Sequence, residues 1–259
     1  MRGKIVCVIQ ARTGSSRLPA KVLKKIEGFT LLSLVIKRVA FSRFIDRDNI
    51  LIATTERKED DRIVKIAQQE GVNVFRGSED DVLDRYYKAL KAHPADIVLR
   101  ITSDCPLIDY KIIDAVITLF SKSKNIDYCS NRLKLSFPEG LDTEIFTFKA
   151  LEKAWQESYE PYDREHVTPY MYRSGKLKLK PLSFNNNLSY LHLSIDNKED
   201  FEFVKKIYSY LYKRKPRFIL NDILKLLTVR PEILEINQHN SYKRFLRDVN
   251  VKTQRKLNG

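Results

Sequence analysis

The chain has 259 residues, 43% of them hydrophobic and 31% charged, a composition typical of a globular protein with room for one α/β domain. Its formal net charge of +14 favours an anionic partner, but no zinc-finger spacing, RNA-recognition signature or basic low-complexity arm accompanies the charge, so we expect no nucleic-acid partner. No run of about 18 apolar residues occurs, so we expect no membrane span and no membrane partner.

The cysteines and the N-terminal sequence bear on the cellular compartment. Cys7, Cys105 and Cys129 are widely spaced and form no paired motif, which favours reduced thiols over a disulfide framework or a zinc site. The N-terminal residues pass directly into a strand pattern and lack the features of a signal peptide. We therefore expect a cytoplasmic protein.

Short apolar runs alternate with helix-period patterns in the first half of the chain. Strands are predicted at residues 5–11, 49–55, 72–77, 96–102 and 126–130. Helices are predicted at residues 30–42, 59–71, 81–92 and 112–123. Strands that alternate with helices in this way predict a mostly parallel sheet with helices on both faces.

The alternation is looser from residue 137 onward. Further strands are predicted within residues 137–148, 176–184 and 191–196, and further helices at residues 149–158, 200–213 and 218–234. We predict one domain over residues 1–248, with a β-extension at about 137–190, a helical C-terminal part at 199–248 and a flexible tail at 249–259. Residues 201–259 hold 14 Lys and Arg against 5 Asp and Glu, so much of the net charge belongs to this solvated part.

A turn rich in cations and small residues follows the first predicted strand. Its sequence is ARTGSSRLPAK, residues 11–21, and we name it the basic turn. Its cations are Arg12, Arg17 and Lys21. Gly14 and Ser15 let the backbone approach a ligand and donate N–H groups, while arginine forks and a lysine charge suit phosphate oxygens. The turn lacks the spacing of a Walker A loop or a dinucleotide fingerprint, yet it predicts a phosphate site, with a solvated basic loop as the alternative.

Two further polar segments follow predicted strands: ATTERKEDD at residues 53–61 and ITSDCP at residues 101–106. An open α/β sheet binds ligands beyond the carboxyl ends of its strands, so we expect both segments to lie beside the basic turn. Asp104 ends the fourth strand, where a carboxylate can bind Mg²⁺, a cation that takes one or two carboxylates together with substrate phosphates. A strand-end aspartate without a metal is the alternative.

The basic turn has the pattern A-R-x-G-S-x-R-x-P-x-K, which resembles the sugar cytidylyltransferases that activate acidic sugars by joining them to CMP. The resemblance is closer to the SpsF-type branch, named for spore coat polysaccharide synthesis. It runs in order over roughly residues 4–245, through VFRGSEDDVLDRY, RITSDCPLID, FPEGLDTEIFTF, DREHVTPYMYR and SIDNKEDFEFV. It implies a Rossmann-like three-layer α/β/α fold of the nucleotide-diphosphosugar transferase (GT-A-like) type, and it suggests a homodimer formed through the β-extension.

The resemblance also implies the chemistry of the site. Asp104 and Asp196 match the family's Mg²⁺ ligands, and Asp196 also lies where a helix N-cap is expected. With Mg²⁺ on the triphosphate, a substrate oxygen would attack the α-phosphorus and pyrophosphate would leave. The residues expected to be catalytic are Arg12, Arg17, Lys21 and Asp104. The residues expected to bind the nucleotide are Ala11, Arg12, Gly14, Ser15, Arg17, Lys21, Thr54, Arg85 and Asp104.

Two acids near the predicted nucleoside site can be interpreted in two ways. Asp81 and Asp84 open the helix that carries Arg85. They either flank the nucleoside or serve as solvated acids in the first helical turn, where negative charge complements the helix dipole.

The middle of the chain is predicted to bind the acceptor. The residues expected to do so are Glu139, Asp142, Glu144, Arg164, Glu165 and His166. Arg164 could clamp a carboxylate or phosphate of the acceptor, and His166 or a carboxylate could accept the proton of the attacking hydroxyl. The alternative is a structural Arg–Glu network that joins the β-extension to the main sheet. Nothing in the segment distinguishes a keto acid from a phosphorylated sugar or a polyol phosphate.

The function predicted from the sequence is a Mg²⁺-dependent cytidylyltransferase that uses CTP to activate an anionic sugar-type acceptor for surface polysaccharide synthesis. The alternatives are a nucleotidyltransferase that uses another NTP, a glycosyltransferase of the same fold, and a non-catalytic protein that binds nucleotides or polyanions. A glycosyltransferase would more typically show a D-x-D pair, whereas the fourth strand here ends in SDCP. A binding protein has no need of paired metal carboxylates beside the basic turn.

Overall fold

A computed structural model describes residues 3–237, in which a seven-stranded sheet lies between two layers of helices. Residues 238–248 of the predicted helical part, and the predicted tail at 249–259, lie outside the described residues. Among the helices of residues 3–237, none has both the length and the apolar character that a membrane crossing requires.

The central sheet is mixed but mostly parallel. Its strands are β1 (Ile5–Gln10), β4 (Ile50–Thr55), β5 (Asn73–Gly77), β6 (Ile97–Thr102), β7 (Tyr128–Ser130), β8 (Glu144–Thr147) and β9 (Leu179–Pro181). A separate hairpin consists of β2 (Lys25–Ile26) and β3 (Phe29–Thr30). The sheet order is β5-β4-β1-β6-β8-β7-β9, and only β8 runs against the other strands. The predicted fold class is therefore confirmed.

Helices cover both faces of the sheet. They are α1 (Leu31–Val39), α2 (Asp61–Gln69), α3 (Val82–Ala92), α4 (Tyr110–Lys122), α5 (Phe148–Glu157), α6 (Pro161–His166), α7 (Pro169–Arg173), α8 (Lys198–Leu211) and α9 (Leu220–Val229). One hydrophobic cluster takes side chains from α1, α2, α4, α8 and α9, and a second takes side chains from α3, α5 and α7. These two clusters are the cores on the two faces of the sheet.

Strand β1 shows how the sequence builds two cores from one run of apolar residues. Cys7 and Ile9 belong to the cluster with α1, whereas Val6 and Val8 belong to the cluster with α3. Side chains alternate along a strand, so successive residues enter opposite cores. A strand that is buried on both faces is therefore apolar throughout, as in a parallel sheet covered by two helical layers.

The connectivity places a crevice beside β1. The chain moves outward from β1 through β4 to β5 and then returns to β6 on the other side of β1. Ligands of open α/β sheets bind at such a reversal, beyond the carboxyl ends of the strands. The basic turn follows β1, and Asp104 lies just after β6.

Two predicted strands are shorter in the structure. Within residues 176–184 only β9 is a strand, and residues 191–196 form a single isolated bridge between His192 and Glu139. The alternating pattern in residues 191–196 predicted a ladder, but within residues 3–237 the segment forms only this one bridge.

The predicted β-extension at 137–190 is more helical than expected. Besides β8 and β9 it contains α5, α6 and α7. Pro161 and Pro169 are the first residues of α6 and α7. A proline fits this position because its missing N–H would have no partner inside the helix.

Candidate active site

A cleft of about 340 Å³ opens beyond the carboxyl ends of β1 and β6, a size within the range of small-molecule sites. Of the residues predicted to bind nucleotide or metal, it is lined by Ala11, Arg12, Gly14, Ser15, Arg17, Lys21, Arg85, Asp104 and Asp196. Of the predicted acceptor residues, Glu165 and His166 line it. The structure thus brings the basic turn and both predicted metal carboxylates into one cleft.

Lys21 connects the basic turn to both carboxylates. Its Nζ lies 3.0 Å from Asp104 Oδ2 and 3.4 Å from Asp196 Oδ1, and it donates to the carbonyl of Ile195 at 2.6 Å. Only 13% of the Lys21 side chain is exposed, so its charge is partly shielded from water. Burial alone would raise the pKa of Asp104, but the Lys21 ammonium and nearby hydrogen bonds outweigh burial and hold it below its usual value.

The two carboxylates lie on segments that are joined directly. The backbone N–H of Ile195 donates to the carbonyl of Asp104 at 2.9 Å. The N-cap of the following helix lies one residue later than predicted. Asn197, not Asp196, caps α8 and forms a capping box with Asp200. Asp196 is therefore free of the capping role and presents its carboxylate to the cleft.

The two arginines of the basic turn are more exposed than Lys21. Arg17 Nη2 lies 2.9 Å from Asp196 Oδ1, with 68% of the side chain exposed. Arg12 Nη1 lies 3.9 Å from Glu79 Oε1, with 41% of the side chain exposed. Exposed ion pairs of this kind are weak, so both guanidinium groups can change partners when an anion enters the cleft.

Arg85 is a buried cation that also lines the cleft. It lies in α3 with 2% of its surface exposed, and its Nη1 donates to the carbonyl of Ser78 at 2.8 Å. Its buried Nε has no hydrogen-bond partner in the described part of the chain. Burial lowers the pKa of this guanidinium, although an arginine stays charged at neutral pH. This Nε is therefore an unsatisfied polar group within a residue that lines the cleft.

Thr54 does not line the cleft, contrary to its predicted role. It is fully buried in β4, and its hydroxyl donates to Asp60 Oδ2 at 3.2 Å. The residue lies near the carboxyl end of β4, the strand next to β1, but its side chain is buried in the protein.

A second charged cluster lies behind Asp196. His192 Nδ1 is 3.3 Å from Glu139 Oε2, and its Nε2 is 3.7 Å from Asp196 Oδ2 and 3.5 Å from Asp200 Oδ2. Hydrogen bonds with Asp200 and Glu139 raise the pKa of His192 to about 10, so the imidazole is protonated at neutral pH. Glu139, His192 and Asp196 have ligand atoms within 4.8 Å of one another, the size of a metal-binding group.

Gly140 brings Glu139 to this cluster. Its φ is +92°, and a Cβ at this position would lie 2.4 Å from the backbone nitrogen of Ser194. Only glycine allows this approach without strain. Leu193 N donates to Glu139 O at 2.8 Å across the contact. His192 could not be found from the sequence, because a lone histidine in an alternating segment carries no signal without its partners.

Glu144 and Asp142, both predicted to bind the acceptor, form internal contacts instead. Glu144 is buried on β8, where it pairs with Arg100 and accepts hydrogen bonds from Tyr128 and Thr168. Arg132 Nε lies 3.5 Å from Asp142 Oδ1, and burial raises the pKa of Asp142 to about 6. Neither side chain lines the cleft: Glu144 is occupied by its network on β8, whereas Asp142 pairs with Arg132 and its Oδ1 makes no hydrogen bond within residues 3–237.

Arg164 also makes an internal contact, as the structural alternative expected, but its partner is Asp81 rather than a glutamate. Its Nε donates to Asp81 Oδ2 at 2.9 Å, and its Nη1 donates to the carbonyl of Trp155 at 2.9 Å. Asp81 caps α3, and Asp84 accepts from Trp155 Nε1 and pairs with Lys88. Asp81 therefore serves the helix terminus and the α3–α6 contact, and Asp84 joins α3 to α5.

The fold and the cleft together define a class of protein: an α/β protein of nucleotidyltransferase type, in which a basic turn after the first strand faces two carboxylates from later segments. The profile of the cytidylyltransferase family matches residues 6–244. The chain belongs to this family.

Similar proteins agree with the assignment. The chain is 40% identical to an uncharacterised protein of Methanocaldococcus jannaschii, over 93% of this chain and 98% of that protein. It is 34% identical to the spore coat polysaccharide biosynthesis protein SpsF of Bacillus subtilis, over 88% of this chain and 95% of that protein. A solved cytidylyltransferase from Leptospira borgpetersenii is 37% identical with a TM-score of 0.85, covering 91% of this chain and 98% of its own. The predicted resemblance is thereby confirmed.

Proposed function

We propose that the protein is a Mg²⁺-dependent cytidylyltransferase that transfers CMP from CTP to a sugar acid or a sugar phosphate, with release of pyrophosphate, for surface polysaccharide synthesis. The observation that carries the proposal is the position of Lys21 Nζ, within 3.4 Å of both Asp104 and Asp196. The basic turn and two carboxylates from distant segments of the chain meet at one point of the cleft. The family membership and the similarity to a polysaccharide biosynthesis protein support the reaction class and the sugar-type acceptor.

The cations of the basic turn would bind the triphosphate. Arg12 and Arg17 are exposed enough to turn toward phosphate oxygens, and arginine forks suit that geometry. Lys21 is held in place by three oxygen contacts before any ligand arrives. Fixed cations stabilise the charge that develops on the leaving pyrophosphate, because no reorganisation is needed during the reaction.

The carboxylates fit a magnesium ion. Asp104 and Asp196 supply oxygen ligands from two segments that a backbone hydrogen bond holds together, and Mg²⁺ takes one or two carboxylates in such sites. The ammonium of Lys21 already contacts both groups, so this part of the cleft suits positive charge. When bound, Mg²⁺ would neutralise charge on the phosphates.

Arg85 is the residue that would meet the nucleoside. Its Nε is buried and lacks a partner among residues 3–237, and the residue lines the same cleft. Cytosine presents two adjacent acceptors, O2 and N3, whereas uracil presents an N–H at N3. A fixed arginine donor therefore favours cytosine, since a buried donor left unpaired weakens binding of the wrong base.

The direct test is a product assay with each of the four NTPs, Mg²⁺ and a panel of sugar acids, sugar phosphates and polyol phosphates. We expect pyrophosphate release with CTP, and a mass spectrum that shows a CMP- or CDP-linked product from one acceptor class. Asp104→Asn, with its fold checked by circular dichroism, serves as the inactive control. Equal or faster turnover of another NTP would contradict the base assignment, and near-normal activity of the control variant would contradict the metal role.

A further inference from the structure

Asp60 is a buried carboxylate that lies beneath the basic turn and does not line the cleft. It has 1% of its surface exposed and ends a short 3₁₀ helix, Lys58–Asp60, before α2. Its oxygens accept four hydrogen bonds from the basic turn and the end of β4: Thr13 N at 2.8 Å, Thr13 Oγ1 at 2.7 Å, Thr54 Oγ1 at 3.2 Å and Thr55 Oγ1 at 2.5 Å.

These four donors keep the carboxylate ionised inside the protein. Burial alone would raise the pKa of Asp60, but the hydrogen bonds from Thr55 and Thr13 outweigh it and hold the pKa below its usual value. A buried charge persists only where its hydrogen-bonding capacity is met, and hydrogen bonds to a charged acceptor are the stronger kind. The end of β4 and the start of the basic turn are therefore both hydrogen-bonded to the Asp60 carboxylate.

Thr13 passes this restraint on to the rest of the turn. While its N–H and hydroxyl donate to Asp60, its carbonyl accepts from Ser15 N at 2.8 Å and from Ala20 N at 3.1 Å. Ala20 has a φ of +51°, a left-handed conformation that is uncommon for alanine and needs support from its surroundings. Lys21, the cation that contacts both cleft carboxylates, is the next residue.

We propose that Asp60, acting through Thr13, is a positioning residue that fixes the basic turn in its triphosphate-binding shape before the nucleotide arrives. This rests on the proposed function, because it assigns the turn to the triphosphate of CTP. The carboxylate does not repel the triphosphate strongly, since four donors surround it and it does not line the cleft.

The test compares Asp60→Asn and Thr13→Val with two controls. An amide cannot accept four hydrogen bonds, and valine keeps the shape of Thr13 while it removes the hydroxyl. Thr13→Ser keeps the hydroxyl and is expected to restore wild-type behaviour. Asp61→Asn makes the same charge change at the next residue, whose carboxylate pairs with Arg76 away from the turn.

We expect Asp60→Asn and Thr13→Val to raise the KM for CTP about tenfold, the effect of losing one charge-assisted hydrogen bond, while the KM for the acceptor changes less than about twofold. CTP affinity measured by calorimetry should fall by the same factor. A wild-type KM for CTP in both variants would overturn the proposal. So would equal increases in both KM values together with a lowered Tm, because that pattern indicates general destabilisation of the fold.

Three further outcomes complete the test, and the first separates this inference from the proposed function. If the wild-type protein turns over no NTP yet binds CTP, the proposed function fails, and calorimetry of the variants still decides the role of Asp60. If Asp60→Asn does not fold, the Thr13→Val and Thr13→Ser pair decides, because it differs from wild type by single groups on a partly exposed residue. Wild-type protein that binds no CTP would overturn both.

Discussion

At the scale of single residues, Lys21 controls the electrostatics of the cleft. Its ammonium lies within 3.4 Å of both Asp104 and Asp196, whereas Arg17 and His192 pair with Asp196 but not with Asp104 among residues 3–237. Like charges in a partly buried site repel each other and raise each other's pKa. One side chain thus serves the apo protein, by separating two acids, and the nucleotide complex, by supplying positive charge.

Lys21→Met should therefore weaken CTP binding and slow turnover by about 100-fold or more, a loss comparable to removal of one transition-state donor. Methionine has a similar length, so the change removes charge with little loss of volume. Lys25→Met is the matched control, because Lys25 is an exposed cation in β2. Steady-state pyrophosphate release and calorimetry with CTP measure both effects. Unchanged CTP affinity in Lys21→Met would be inconsistent with the role given to the basic turn.

At the scale of elements, the periodicity of apolar residues in the sequence predicts the strands and helices. The run Ile5–Ile9 is apolar because it enters two cores, and the alternation of such runs with amphipathic helices predicted the parallel sheet correctly. The basic turn could be predicted as well, since its residues are contiguous and its position after a strand fixes its place.

What periodicity cannot encode is the partner of each charged side chain. Glu144 looked like a site residue, but its counter-ion Arg100 lies 44 positions earlier in the chain, on the adjacent strand β6. Arg164 pairs with Asp81 across 83 positions. Asp60 lies in the segment ATTERKEDD, which was predicted to lie beside the basic turn. Its four hydrogen bonds, however, come from the basic turn and from the end of β4. Such pairings depend on tertiary contacts and leave no local pattern.

The contact between α3 and α6 gives a prediction at this scale. Arg164 and Asp81 are both partly buried, with 22% and 32% of their side chains exposed, so their coupling should exceed that of a surface ion pair. A double-mutant cycle with Arg164→Gln and Asp81→Asn should give a coupling free energy of about 1 kcal/mol in urea unfolding. Asparagine retains the ability to cap α3, so the cycle isolates the ion pair.

The control for this cycle is the exposed pair Lys205 and Glu202 on α8, with 56% and 48% exposure. Its coupling should be close to zero, because water screens both charges. If the two pairs gave the same coupling, the α3–α6 contact would not be held by this interaction, and Arg164 would again be available to bind an acceptor.

At the scale of the whole molecule, the cleft joins segments that are distant along the chain. Lys21 and Asp196 are 175 positions apart, and Arg17 and Asp196 are 179 positions apart. The return of the chain to β6 and then to the segment before α8 is what brings them together. Because Asp196 also contacts His192, the charges behind the cleft connect the stability of the fold to pH.

His192 should make this dependence measurable. It faces the carboxylates of Glu139, Asp196 and Asp200 and the hydroxyl of Ser194, and the first three stabilise its charged form. Its pKa is about 10 in the folded protein, against a model-compound value of 6.5. Below about pH 6.5 both the folded and the unfolded states bind the proton, so the full stabilisation is present. Between these two values only the folded state keeps it, so the stabilisation falls as the pH rises and is lost above about pH 10.

The measurement is the free energy of urea unfolding of wild type and His192→Gln at several pH values. We expect the wild-type advantage to be largest near about pH 6 and to shrink steadily toward about pH 10, since the other titrating groups are common to both proteins and cancel in the difference. Asp200 and Glu139 stay ionised over this range, because His192 and other hydrogen-bond partners hold their pKa values below the usual ones. An advantage that is constant with pH would mean that His192 contributes by packing and neutral hydrogen bonds alone, and that the cluster behind Asp196 carries one proton fewer than the geometry indicates.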